Sequence, residues 1–421
     1  MQQKSNHPTS GKLGLLTVGM GAVATTTYAG VLAASRGLGQ AIGSLSQMGH
    51  LTPEDPSSPF LKDALALTPL KDIVFGGWDV FSDNAYSAAL KAGVLSRYEL
   101  EPFHQSLSQI VPMPAVFEQF WVKKLEGANN VKHYANKWQA AELLIKDIED
   151  FKKSNNLERL VIVWCASTEI YKPLSNVHTS VKIFEKGLRD NHPDISPSQI
   201  YAYAALRTGV PFANGAPNVA LEAPAFRELA QEFRVPMCGK DFKTGQTFIK
   251  TAIAPALKSR LLGIRGWFST NILGNRDGLV LNDPESFKSK ELTKVGVLES
   301  ILQPQHYPDL YGTMTHQVHI NYYPPRGDDK EGWDNIDIFG WLGQPMQIKV
   351  NFLCKDSILA APIVLDLALF LDLAKRCGLQ GMQEWLGFYF KAPLLPENQG
   401  HAENDLFRQH RALYKTLQEL V

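Results

Sequence analysis

The stretch Leu13-Gly-Leu-Leu-Thr-Val18, Gly19-Met-Gly21, Ala22-Val23-Ala24-Thr-Thr-Thr-Tyr28 carries three structural signals in succession. An apolar run of strand length meets a glycine turn, and a helical pattern continues from there to Ala34. Glycines at Gly19 and Gly21 let the backbone turn sharply and approach an anion. The N-terminus of the following helix attracts that anion. GxGxxA is a weak signal alone, but between a strand and a helix it reads as a dinucleotide turn. The acidic residue expected about 20 positions on is absent. Asp79, which ends a second strand-like run at Gly76-Gly77-Trp78-Asp79, is the candidate ribose ligand; its plainer reading is a turn residue or helix cap. No charge lies between Lys12 and Arg36, so a secretory signal or membrane helix is a rival reading of this region. Its glycines and threonines suit strand, turn and helix better.

The same alternation recurs further along. Leu160-Val-Ile-Val-Trp164 is apolar throughout, as a strand buried on both faces requires. Polar Ser167-Thr168-Glu169 follows it. Strand-like runs return at Pro211–Asn214 and Val235–Cys238, with a helical pattern over Tyr201–Thr208. Residues 45–70 read as a long loop, and residues 115–155 as helical. This is the pattern of an α/β doubly wound sheet. After about residue 250 the texture changes. Leu262–Phe268, Thr315–Tyr323, Ile336–Phe339 and Met346–Phe352 read as strands of a second, more β-rich α+β unit. Ser357–Arg376 then reads as a buried apolar helix.

The length of 421 residues suggests two or three domains. Lysine plus arginine equals aspartate plus glutamate at 42 each, so net charge points to neither nucleic acid nor a membrane surface. Cys165, Cys238, Cys354 and Cys377 form no CxxC pair. They read as reduced thiols of a cytoplasmic protein. The histidines show no metal spacing: His316 and His319 fall on opposite faces of a predicted strand.

Four further segments carry polar groups suited to chemistry. Asn214-Gly215-Ala-Pro-Asn218 is a turn. Gly239-Lys-Asp241-Phe-Lys243-Thr-Gly-Gln-Thr247 follows a strand, where ligand crevices open, and can hold phosphate or an amide. Lys290 and Lys294, four apart, share a helical face and repel unless an anion such as a sugar phosphate lies between them. Their plainer reading is a surface helix screened by Glu291. Cys354-Lys-Asp356-Ser357 opens the apolar helix, with Asp356 a candidate N-cap or cofactor neighbour.

Taken together, these segments resemble the myo-inositol-1-phosphate synthase family over roughly residues 12–415. The matching strings are GGWD (76–79), VIVWCASTE (161–169), NGAPN (214–218), KDFKTGQT (240–247), STNILGNRDG (269–278), SFKSKELTK (286–294), GDDK (327–330) and KDSILAAPIVLDL (355–367). The resemblance implies an NAD-binding Rossmann domain, at 12–248 and 355–421, interrupted at 249–354 by a catalytic and tetramerisation domain. It implies that glucose 6-phosphate is oxidised at carbon 5, enolised, closed by an intramolecular aldol step and reduced, with no net redox change. It also implies the site. Gly19, Gly21, Ala22, Val23, Asp79, Ser167, Thr168, Gly215, Asp241, Asp356 and Ser357 would bind NAD. Lys290, Lys294, Lys330, Asn275, Asp241 and Asp356 would be catalytic, with Lys290 central. Lys243, Lys294 and Arg408 would hold the substrate phosphate.

The chain departs from the family pattern in places. The usual GGNNG loop here carries Ala22 and Val23, which removes asparagine side chains from the phosphate site. Asn275-Arg276-Asp277 replaces NND, Lys355 replaces an acid, and Arg408 stands where a C-terminal lysine is expected. Arginine holds phosphate but is a poor proton donor. A cyclase for another hexose phosphate such as fructose 6-phosphate, a non-catalytic NAD-binding homologue and a plain dehydrogenase are the rival readings.

Overall fold

The computed structural model describes residues 10–281, 285, 296–396 and 402–421. Its first sheet has the strands β1 (Leu13–Val18), β2 (Ile73–Asp79), β3 (Met113–Pro114), β4 (Arg159–Trp164), β5 (Phe212–Asn214), β6 (Pro236–Gly239) and β11 (Gly381–Met382). They lie in the order β11-β6-β5-β4-β1-β2-β3, and every pairing is parallel. The strand order reverses between β1 and β4, which is where open α/β sheets bind ligands. All six residues of β1 are buried, so its apolar run is a central strand and not a signal sequence.

Helices cover both faces because alternate strand residues point to opposite sides. Leu16, Val18, Ile162 and Trp164 face α2 (Lys137–Ser154) and α3 (Pro197–Arg207). Leu13, Leu15, Val161 and Val163 face the layer of α5 (Asp356–Arg376) and α6 (Leu406–Glu419). The dinucleotide-turn helix is α1 (Ala22–Ser35). By length and composition α5 is apolar enough to cross a membrane, but 78% of its most apolar window is buried inside the protein.

One expectation fails locally. Residues 115–136 are not helical; the helix begins only at Lys137. Gly127 interrupts that stretch, and Asn136 supplies the first effective cap, accepting from the Gln139 amide at 3.0 Å.

The second sheet has β7 (Gly263–Leu273), β8 (Thr315–Tyr322), β9 (Asp329–Phe339) and β10 (Pro345–Lys355) in the order β10-β9-β7-β8. The β7–β8 pairing is parallel and the others antiparallel. Its inner face packs Trp267, Ile336 and Ile338 on α4 (Gly245–Ser259), through Ala254 and Leu257. Its outer face leaves Phe268, Trp333 and Leu353 exposed.

Gly77 is required by the central pairing. It sits opposite Thr17, and an added Cβ would lie 2.2 Å from the Thr17 carbonyl oxygen. Backbone cannot give way there without breaking the ladder. Gly77→Ala is therefore expected to destabilise the protein by about 1–3 kcal/mol, as overpacking does. Denaturant unfolding checks this, and an unchanged midpoint contradicts it.

Candidate active site

The C-terminal ends of β1, β2, β4 and β5 open onto a cleft of 530 Å³. Gly19, at φ +89°, turns the chain off β1; a Cβ there would lie 2.7 Å from the Ala166 backbone, so only glycine lets the two loops touch. Gly21 precedes α1, whose first turn has no side-chain cap and no acidic residue. Its amides therefore face the cleft ready for an anion. Asp79 holds this turn in place: one carboxylate oxygen accepts from the Met20 amide at 2.6 Å and the other from Phe81 at 2.9 Å. Gly19, Gly21, Ala22, Val23, Asp79, Ser167, Thr168 and Gly215 all line the cleft. Gly215 permits close packing, since a Cβ would meet the Phe242 ring at 2.2 Å. These residues fit a dinucleotide: a wall of close-approach glycines, an uncapped helix N-terminus and a carboxylate at the end of β2.

The other wall comes from the second sheet and its junctions. Lys330, on the inner face of β9, reaches Asp356 at 3.0 Å. Asp356 is not the cap of α5; Lys355 takes that position, and Asp356 stands in the first turn. Burial acts to raise the Asp356 carboxyl, but Lys330 and Lys391 outweigh it and hold the group well below the usual carboxylate range. Its Oδ1 has no hydrogen-bond partner among the described residues. Asn275 donates to Asp328 at 3.0 Å, and Ser357 donates to the same oxygen at 3.1 Å. Burial raises the Asp328 carboxyl above its ordinary value. Asp241, almost fully buried, pairs with Lys391 at 3.3 Å.

Not every expected residue is brought here. Lys243 is turned away and buried: its ammonium bonds Gln409 on α6 and lies 5.4 Å from the centre of the Phe388 ring. Burial pushes it down to about 7, against the pull of Asp405. Arg408 stands exposed on the first turn of α6, beside Glu403 at 3.2 Å and Asp405 at 3.9 Å, and does not line the cleft. The C-terminal lysine that does line it is Lys391. Its signal in the sequence is a lone charge inside the apolar run Phe388–Leu395, which requires a buried partner. Lys290 and Lys294 lie outside the described residues, as does the side chain of Arg276.

Glu169 is a further wall residue. Its carboxylate accepts from the Ser198 amide at 2.8 Å and the Ser198 hydroxyl at 2.6 Å, at the N-terminus of α3. Burial raises it to about 7, although the serine bonds act to lower it. No group of histidines, cysteines and carboxylates suited to a metal occurs among the described residues.

A parallel doubly wound sheet with a dinucleotide turn at its switch point, facing Lys391, Asp241 and Asp356 across one cleft, defines a dinucleotide-dependent enzyme. More particularly, the chain belongs to the myo-inositol-1-phosphate synthase family, an NAD-binding family whose model matches residues 13–418. It is 53% identical over 416 residues to inositol-3-phosphate synthase 1 of Bacteroides thetaiotaomicron, covering 98% of this chain and 96% of that protein. It is 33% identical to inositol-3-phosphate synthase 1 of rice over 91% of this chain and 81% of the relative. The crystal structure of inositol-3-phosphate synthase from Caenorhabditis elegans superposes with a TM-score of 0.90 at 28% identity, covering 98% of this chain and 86% of that one.

Glu169 makes stability depend on pH. Its folded pKa is raised, so the folded state holds a proton that the unfolded state releases. Stability on this account falls as pH rises from the ordinary carboxyl value, 4.5, through about 7. Glu169→Gln is expected to remove that slope, seen as a smaller loss of Tm between about pH 5 and about pH 8. An unaltered slope contradicts the assignment.

Proposed function

We propose that this chain is an inositol-3-phosphate synthase that converts D-glucose 6-phosphate into 1D-myo-inositol 3-phosphate. The observation that carries this is one cleft shared by a dinucleotide wall and by Asp241, Asp356 and Lys391, with Lys330 held behind it on Asp356. The 53% identity to the Bacteroides synthase supports it.

The amides of Gly21, Ala22 and Val23 would hold the NAD pyrophosphate, with Asp79 at the ribose and Ser167, Thr168 and Gly215 along its length. When bound, NAD supplies a reversible hydride acceptor, so an oxidation and a reduction leave no net redox change. The N-terminus of α4 is the seat for the substrate phosphate. Its N-cap, Thr244, makes no capping bond, so the first amides are uncommitted. Gly245 adopts φ +54°, and a Cβ there would lie 3.5 Å from both the Lys330 ammonium and Asp356. The anion thus meets amides and a cation together. An enolate oxygen developing on the hexose needs cationic stabilisation, which Lys330 and Lys391 supply. Asp356 and Asp241 hold those ammoniums in place. Asn275 orients the site through Asp328. The family resemblance adds Lys290 and Lys294, with Lys290 moving the proton. The split into residues 12–248 plus 355–421 and residues 249–354, a homotetramer and a cytoplasmic location complete the reading. The exposed aromatic outer face of the second sheet supports assembly between copies.

Incubation with glucose 6-phosphate and NAD is expected to give inositol phosphate by chromatography without accumulating NADH. Steady NADH release would show a dehydrogenase instead. Product from fructose 6-phosphate alone would show a different cyclase. Lys391→Met is expected to lower kcat at least about a hundredfold with NAD binding retained, read by fluorescence titration; full turnover removes Lys391 from the chemistry. Gly245→Ala is expected to raise the KM for glucose 6-phosphate. Light scattering that gives a monomer would sink the tetramer.

A further inference from the structure

Behind the phosphate seat, α4 carries a buried cation that the reaction does not use. Lys250 is 3% exposed. It lies five residues beyond Gly245, which is about 7.5 Å along the helix. Its ammonium donates to His316 Nε2 on β8 at 2.8 Å and lies 5.9 Å from the centre of the Trp267 ring. Burial pushes Lys250 down to about 8, against the pull of Asp334 on β9, and burial beside Lys250 pushes His316 down to about 3. At neutral pH a charged lysine therefore donates to a neutral imidazole. Asp334 is buried too. Its Oδ1 accepts from Trp267 Nε1 at 2.8 Å and Ser269 at 2.6 Å, and its Oδ2 has no partner among the described residues.

A buried ammonium costs several kcal/mol of desolvation, and an apolar side chain of similar length would fill this space at lower cost. What the charged group provides is one geometry. Gln246 adds to it by donating to the Thr270 and Trp333 carbonyls, both at 3.1 Å. Gly332 leaves the room for that contact, since a Cβ there would meet Gln246 at 2.7 Å. Side chains of α4 thus reach β7, β8 and β9, and Lys330 projects from the same inner face of β9 as Asp334.

We propose that Lys250 is a positioning residue for sugar-phosphate binding: by joining α4 to β8 through His316, while facing Asp334 on β9, it sets the α4 N-terminus against Lys330. This rests on the reading of that N-terminus as the phosphate seat. Lys250 touches neither substrate nor cofactor. Its loss shifts the seat and weakens sugar-phosphate binding, while the reacting groups and the NAD site stay intact.

The test uses the full-length enzyme and measures KM and kcat for glucose 6-phosphate, inhibition by inorganic phosphate, and NAD affinity. Lys250→Met is expected to raise KM about tenfold and weaken phosphate inhibition in parallel, with kcat changed less than about threefold and NAD affinity unchanged. His316→Leu should do the same. His316→Gln, which restores an acceptor, should recover a KM close to wild type. If Lys250→Met fails to fold, the two His316 variants decide the matter. Wild-type KM in Lys250→Met or His316→Leu overturns the proposal, as does a His316→Gln enzyme no better than His316→Leu. Gly245→Ala separates the two claims. If it leaves KM and phosphate inhibition unchanged, the seat itself is wrong; if it disturbs both while Lys250→Met does not, only the role of Lys250 fails.

Discussion

The ion pair between Lys330 and Asp356 is the interaction on which the rest depends. It spans the point where the chain leaves the second sheet through β10 and enters α5 beneath the first sheet. Lys330 belongs to one sheet and Asp356 to the helix layer of the other. The pair therefore fixes how the substrate wall faces the dinucleotide wall. Removing either partner leaves a largely desolvated charge without the pair's counter-charge, which costs more than the pair itself is worth. Lys391 and Asp241 repeat the arrangement beside it. Two cations and two anions are thus gathered at the cleft and directly behind its wall, so positive charge can be brought near a developing oxyanion without a large net charge.

The cofactor wall reaches the same end by different means. This chain lacks the asparagine side chains common in the family's glycine loop, and Ala22 and Val23 stand there instead. What remains is backbone: an uncapped helix N-terminus, a glycine that touches the next loop, and a carboxylate that pins both turns through the Met20 and Phe81 amides. Phosphate binding by amides and the helix dipole does not depend on side-chain identity, so the loop tolerates this divergence.

The parts legible in the sequence were those encoded locally. β1, its glycine turn and α1 follow one another without interruption, and the β-branched apolar run at Leu160–Trp164 has the length and composition of a two-side-buried strand. Asp356 and Ser357 were legible because they open a helix, although not as its cap. Residues 115–136 are spaced as a helix but do not form one: Gly127 interrupts them, and no effective cap comes before Asn136. The burial of Lys391 has a local signal, but the destinations of Lys391 and Lys243 do not. Their places are set by a long-range pairing in which the Lys243 amide donates to the Tyr389 carbonyl at 2.8 Å and the Lys391 amide to Asp241 at 2.7 Å. That pairing brings Lys391 into the cleft and turns Lys243 onto α6. Chain order shows neither event. The resemblance sets Arg408 in place of a C-terminal lysine, but its α6 position faces solvent and Lys391 is the C-terminal lysine in the cleft.

The central claim is that oxidation and reduction occur in one cleft that keeps its cofactor throughout. Glucose 6-phosphate deuterated at carbon 5 tests it most directly, turned over in the presence of excess unlabelled NADH. The account requires that the inositol phosphate keep its deuterium, with none in the free NADH pool. Deuterium lost from the product into free NADH would contradict it.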